Sequence, residues 1–307
     1  MSLARRAAIG FLSFLLFVSL TGFGLAHTAK QTVLNPDFVK TELESLDVVA
    51  LMDDILSQQV PPEVEQFLPE GALDETMDEV LAELEPWLRE QLDTAVDTVY
   101  DYLWGRSDRL SLIIDVTPVK EAVSESLRDE FLANPPAIVS FIPPEDLENL
   151  FDSAYAQISG QIPSTYEVDE GTLNDLNPDI MINLNRARRY IGYFQFVYPA
   201  LIAATALFIM GIILLSRRAG NPPLWLGIPI LIGGVVIYFV PAIIRHFTDP
   251  ILAGTELSPA FDVWAPQFIN DSLAPLRIFS IFFIAVGVAL LIVAAVRRHR
   301  QQDDYYG

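Results

Sequence analysis

Residues 177–216 read NPDIMINLNRARRYIGYFQFVYPALIAATALFIMGIILLS, and the fold turns on this stretch. Asn177 is a preferred helix N-cap, Pro178 suits the first helical position, where no amide donor is needed, and Asp179 sits at the positive end of the helix dipole. Arg186, Arg188 and Arg189 follow, and then no charged residue occurs from Tyr190 to Ser216. The pattern predicts one unbroken helix that starts in water, passes a basic cluster and enters a bilayer. A domain ending in such a helix would be rigidly coupled to the membrane.

Three further segments share the uncharged character: Ala7–Ala26, Pro223–Ile244 and Ile278–Val296. At about 1.5 Å per residue, some 20 residues cross a hydrocarbon core of about 30 Å. Ala7–Ala26 also resembles a signal peptide, with Arg5 and Arg6 ahead of the apolar run and Gly24-Leu25-Ala26 as a small-residue cleavage site. Its length exceeds an ordinary signal core and favours an uncleaved helix.

Composition supports the division. The 307 residues carry 40 acidic and 19 basic side chains, a net charge of −21, yet 51% are hydrophobic. Between His27 and Arg189 lie 34 acidic and 10 basic residues, a net of −24, so charge and apolar character occupy different regions. An acidic surface repels phosphates, and nucleic acid is excluded as an expected partner. The absence of cysteine rules out disulfides, thiol catalysis and thiolate metal sites, and points to a prokaryotic envelope.

The predicted class is mainly α: four transmembrane helices and a large, mostly α-helical extracytoplasmic domain with a few short β-strands. Residues 1–26 form the first membrane helix or signal peptide, 27–189 the acidic domain, and 190–216 the second membrane helix. Residues 217–222 form a short cytoplasmic loop, 223–244 the third helix, 245–277 an outer loop, 278–296 the fourth helix, and 297–307 a cytoplasmic tail. Arg5, Arg6, Arg217, Arg218, Arg297, Arg298 and Arg300 are expected to share the cytoplasmic side, by the bias of short loops. The long acidic loop is discounted because its length lets it cross regardless of charge. Both termini are then inside a cell membrane.

Within the acidic domain, Asn35-Pro36-Asp37 opens a helix expected to reach about Ser57, ended by Pro61-Pro62. Asp74–Trp104 is helical by periodicity. A break or kink is expected at Glu85, because Pro86 removes a donor and clashes with the preceding turn, leaving two helices or one bent helix. Thr117-Pro118 and Pro143-Pro144 open two more helices, while 110–116, 137–142 and 162–168 are strand candidates for one small sheet. The two Asn-Pro-Asp signatures read as independent caps, since no matching period follows them.

Chemistry-bearing motifs are sparse. The histidines, His27, His246 and His299, each adjoin a membrane segment and form no zinc motif, and no nucleophile elbow, phosphate loop or dinucleotide fingerprint occurs. Around Gly171, oxygen ligands concentrate in a way that suggests Ca2+, with Asp169, Glu170, Asp175 and Asp179 as divalent-ion candidates. The order departs from a calcium loop, and a solvated loop with capping residues is the plainer reading. No cofactor is otherwise predicted. Arg186, Arg188 and Arg189 read as an interfacial anchor on lipid phosphates or as a docking cluster for the chain's own acidic helices. Ala200, Ala204, Ala285, Ala289, Gly233 and Gly234 offer close helix approach. No charge lies at mid-membrane depth, which disfavours an ion-coupled pump.

The function expected is that of a multi-pass membrane protein whose acidic domain binds or scaffolds within a cell-envelope complex, without catalysis. Its partners would be the lipid bilayer and a protein partner or further copies of itself. The alternative is a channel or transporter subunit with the domain as a cap.

Overall fold

The computed structural model describes residues 3–57, 72–133, 135, 139, 141–217, 221–253 and 258–306. Among these the chain is mostly helical, with four helices long and apolar enough to cross a membrane. It divides into two units, one of Met1–Val39, Arg189–Leu257 and Asp262–Gly307, the other of Lys40–Arg188 with Ser258–Phe261.

The first unit is built on α1 (Leu3–Gln31), α8 (Pro178–Arg217, from Arg189 onward), α9 (Pro222–Ala253) and α10 (Pro259–Tyr306). Its core gathers Leu16 and Leu20 of α1, Ile212 of α8, Leu226, Ile230 and Ile237 of α9, and Leu276 and Phe283 of α10. Large apolar side chains also point outward, among them Phe196 at 78% and Ile278 at 70% exposure. A surface so apolar suits lipid rather than water. Helices α9 and α10 approach closely through glycine: a Cβ on Gly234 would lie 2.8 Å from the Ile284 amide nitrogen, and one on Gly287 2.7 Å from that of Leu231. Gly233, one residue away, faces Leu20 and Thr21 at an ordinary 3.6 Å.

The helices outrun the apolar segments. The expected outer loop, 245–277, is helical wherever it is described except at Ser258, with residues 245–253 in α9 and 259–277 in α10. Pro259 occupies the first position of α10, where its missing donor is harmless. Trp264 stacks on Phe268 at 4.9 Å, and Phe268 meets Phe38 at 6.1 Å.

The second unit contains the latter half of α2 (Pro36–Leu43), then α3 (Val48–Ser57), α4 (Ala72–Leu103), β1 (Ser111–Asp115), α5 (Thr117–Ala133), α6 (Pro144–Ser159), β2 (Thr165–Asp169) and α7 (Glu170–Leu176). Val80 and Leu84 of α4 pack on Ala122 of α5, with Trp87, Leu88, Val119 and Val123 around them. Helix α6 joins α5 through the rings of Phe131 and Phe151, whose centroids are 5.6 Å apart. Lys120 donates to the Ser159 carbonyl, where a cation meets the negative end of α6.

Two expectations are corrected. The helix from residue 36 does not run to Ser57: it stops at Leu43, and α3 begins at Val48. Ser45 Oγ donates back to the Glu42 carbonyl and Asp47 Oδ1 accepts the Ala50 amide, so side chains supply bonds that helix continuation would have made. The sheet has two strands among the described residues, not three. β1 and β2 pair antiparallel, Leu112 opposite Val168 and Ile114 opposite Tyr166. Of 137–142, residues 139 and 141 lie in turns and 142 in a bend, with the Ile142 amide bonded back to the Val139 carbonyl, and the others lie outside the described residues. At Pro86 the helix is not broken in two. The proline lies inside the single helix α4, because Val80 and Leu84 before it and Trp87 and Leu88 after it are held in one packed face. The Pro61-Pro62 helix stop lies outside the described residues.

Candidate functional site

The polar chemistry of the first unit lies along α1. Ser13 donates to the Trp225 carbonyl at 3.1 Å, Ser19 lies 2.8 Å from the Thr205 hydroxyl, and His27 Nδ1 lies 2.8 Å from the Tyr198 hydroxyl. These groups recur down one helix and each reaches α8 or α9, so α1 is fastened by hydrogen bonds as well as by packing. His27 sits in an aromatic nest, stacked on Phe23 at 5.5 Å and meeting Phe279 edge-on at 5.0 Å, while the Lys30 ammonium lies 4.6 Å above the Tyr198 ring. His246 instead contacts Phe247. No group of three or more His, Asp or Glu side chains among the described residues is placed to hold a metal ion.

Contacts gather several of the expected topology residues at one end of this unit. Arg5 Nε donates to the Leu215 carbonyl at 3.0 Å, which puts a cation on the carboxyl end of α8, two residues before Arg217. Asn221, just ahead of α9, and Arg298 and His299 of α10 line a cavity of about 780 Å3, whose other wall includes Leu224, Leu291 and Ala295. Arg6 and Arg297 are exposed. Arg218 and the side chain of Arg300 lie outside the described residues. At the opposite ends of α9 and α10, Arg245 bonds to Asn270 beside a groove of about 730 Å3 that Asp249 and Asp262 also line.

Near the start of α8 the three arginines take different surroundings. Arg188 stacks over the Tyr102 ring at 4.5 Å and donates to the Ser107 carbonyl at 3.2 Å and to Asp108 at 3.3 Å. Asp108 is fully exposed, so solvent screens that pair. The stacking and the carbonyl bond matter more, because Tyr102 is 3% exposed and its hydroxyl is fixed by Asn185 at 2.8 Å. Arg186 reaches Asn183 of its own helix, and Arg189 is exposed.

The divalent-ion candidates are engaged locally. Asp169 caps α7, accepting the Thr172 amide at 2.8 Å and the Thr172 hydroxyl at 2.9 Å. Those bonds, the amide first, hold its carboxyl below the ordinary Asp range. Glu170 accepts the Leu110 amide, Asp175 is exposed, and Asp179 lies in the first turn of α8 with its amide on the Asn177 cap. Asp115 plays the matching part at the end of β1, where the Thr117 side chain, then the Thr117 amide, lower its pKa.

Of the α1 seam, the sequence singles out only His27, as a histidine beside a membrane segment. The seam's signal is there, since Ser13, Ser19 and His27 punctuate an apolar run, but only the fold shows that their partners are Trp225, Thr205 and Tyr198, 171 to 212 residues on. The cavity at Asn221 and Arg298 is likewise a product of packing. Comparison with family models, curated proteins and solved structures finds no match for this chain.

Proposed function

We propose that this chain is a multi-pass membrane protein that presents its acidic helical unit on the extracytoplasmic side as a binding or scaffold module of an envelope complex, both termini lying in the cytoplasm. The observation that carries the reading is the interior of the first unit. Its centre is filled by Leu16, Leu20, Ile212, Ile230, Ile237 and Phe283, and its hydroxyls bond helix to helix. A bundle so filled serves as an anchor, and the acidic unit is left as the part that meets other molecules. The net charge of −24 between His27 and Arg189 favours a partner with a basic surface. The reading assigns no catalysis to the chain.

Purification of the tagged full-length protein in mild detergent, with mass spectrometry of copurifying proteins and a sizing run, tests this. A stoichiometric partner released by salt is the expected result. A partner-free homo-oligomer that passes ions when placed in liposomes would replace the scaffold reading with that of a channel subunit.

A further inference from the structure

We propose that the cavity between the start of α9 and the last apolar turns of α10 binds one phospholipid of net negative charge, such as phosphatidylglycerol. The inference rests on the bilayer placement of α9 and α10 and not on the scaffold role.

The lining is graded. Arg298 and His299 stand at one end, and Leu224, Leu291 and Ala295 form an apolar wall. A guanidinium presents several donors in a fixed fork that matches phosphate oxygens, and an imidazole adds another donor. Among the described residues no carboxylate lines the cavity to oppose an anion. Its depth in the bilayer follows from sequence: the uncharged run Ile278–Val296 ends at Arg297, so Arg298 and His299 lie at the level of phosphodiesters and the apolar wall at the level of acyl chains. A volume of about 780 Å3 accommodates a headgroup and the adjoining part of one chain.

Net charge narrows the headgroup. Phosphatidylcholine has the same phosphate but also a quaternary ammonium, which cancels its charge and which the Arg298 guanidinium repels, whereas phosphatidylglycerol keeps its full negative charge for Arg298.

The test is native mass spectrometry of the full-length protein after incubation with phosphatidylglycerol or phosphatidylcholine of equal chain length. One phosphatidylglycerol per chain is expected, with phosphatidylcholine retained about tenfold less, a factor equivalent to about 1.4 kcal/mol. Arg298→Gln with His299→Gln should lower retention about tenfold, in keeping with the loss of charge-assisted bonds. Ala295→Phe, at an exposed position, should lower it without changing charge, and Arg297→Gln should leave it unchanged. Equal retention of the two lipids, or double-variant retention equal to wild type, overturns the proposal. Displacement by inorganic phosphate as effective as by free lipid makes the cavity a site for a small anion and also overturns it. Flotation with phosphatidylcholine vesicles separates the two readings. A chain that floats without headgroup preference loses only the lipid site, and one that does not float loses the membrane reading too.

Discussion

Asp169 and Asp115 each close a strand just ahead of a helix, and hydrogen bonds from a threonine hold each below the usual carboxylate pKa. A carboxyl whose pKa is depressed by folding stabilises the folded state fully above its unfolded value, about 3.9 for Asp. That contribution is lost as pH falls through the lower, folded value. Asn keeps an acceptor oxygen but does not titrate, so Asp169→Asn should flatten the fall in melting temperature below about pH 4. An unchanged slope in thermal unfolding of the full-length protein would show that the cap contributes nothing to acid sensitivity. A sharper contrast lies at Gly233 and Gly234, neighbours in sequence with different surroundings. Gly234→Ala drives a methyl against the backbone of α10 and should cost about 1–3 kcal/mol, whereas Gly233→Ala meets only van der Waals contact and should be neutral or mildly stabilising. Melting of the two variants in one detergent compares them directly.

Among the elements, α1 is the one whose status the sequence left between two readings. Ile9 and Leu16 are fully buried, Gly24 admits Ile237 at close range, and Ser13, Ser19 and His27 each bond to another helix. A segment so built into a core is expected to remain in the mature protein. Intact-mass measurement of the membrane-extracted chain should therefore include residues 1–26, and a mass short by that segment would mark it as a cleaved leader. The helices themselves were legible because caps and periodicity are local: Asn177-Pro178-Asp179 does begin α8, and Thr117-Pro118 does begin α5. What escaped was decided by groups remote in sequence or by side chains that compete with the backbone. Ser45 and Asp47 divide a stretch whose apolar spacing is continuous, and the packed face across Pro86 keeps whole a stretch that its proline alone leaves free to divide. The site at Asn221 and Arg298 was half visible: the arginine stood out as a topology signal, while its wall of Leu224 and Leu291 comes from two helices that sequence alone does not juxtapose.

For the whole molecule, the absence of cysteine makes orientation directly measurable. Gln157→Cys in the acidic unit and His299→Cys at the end of α10 are both at exposed positions, on a background with no competing thiol. A membrane-impermeant maleimide added to intact cells should label the first and spare the second until the membrane is broken. The reverse pattern would invert the topology. The membrane unit is also discontinuous, α1 preceding the acidic unit and α8 to α10 following it. His27 and Tyr198 are 171 residues apart, so at a synthesis rate of about 5–20 residues per second α1 leaves the ribosome roughly 9–34 s before its hydrogen-bond partner exists. On the proposed topology the first helix waits in the bilayer alone during biogenesis, its serines and histidine without their later partners. Of all the segments it is the one most exposed to an insertase that shelters it, or to a protease that removes it.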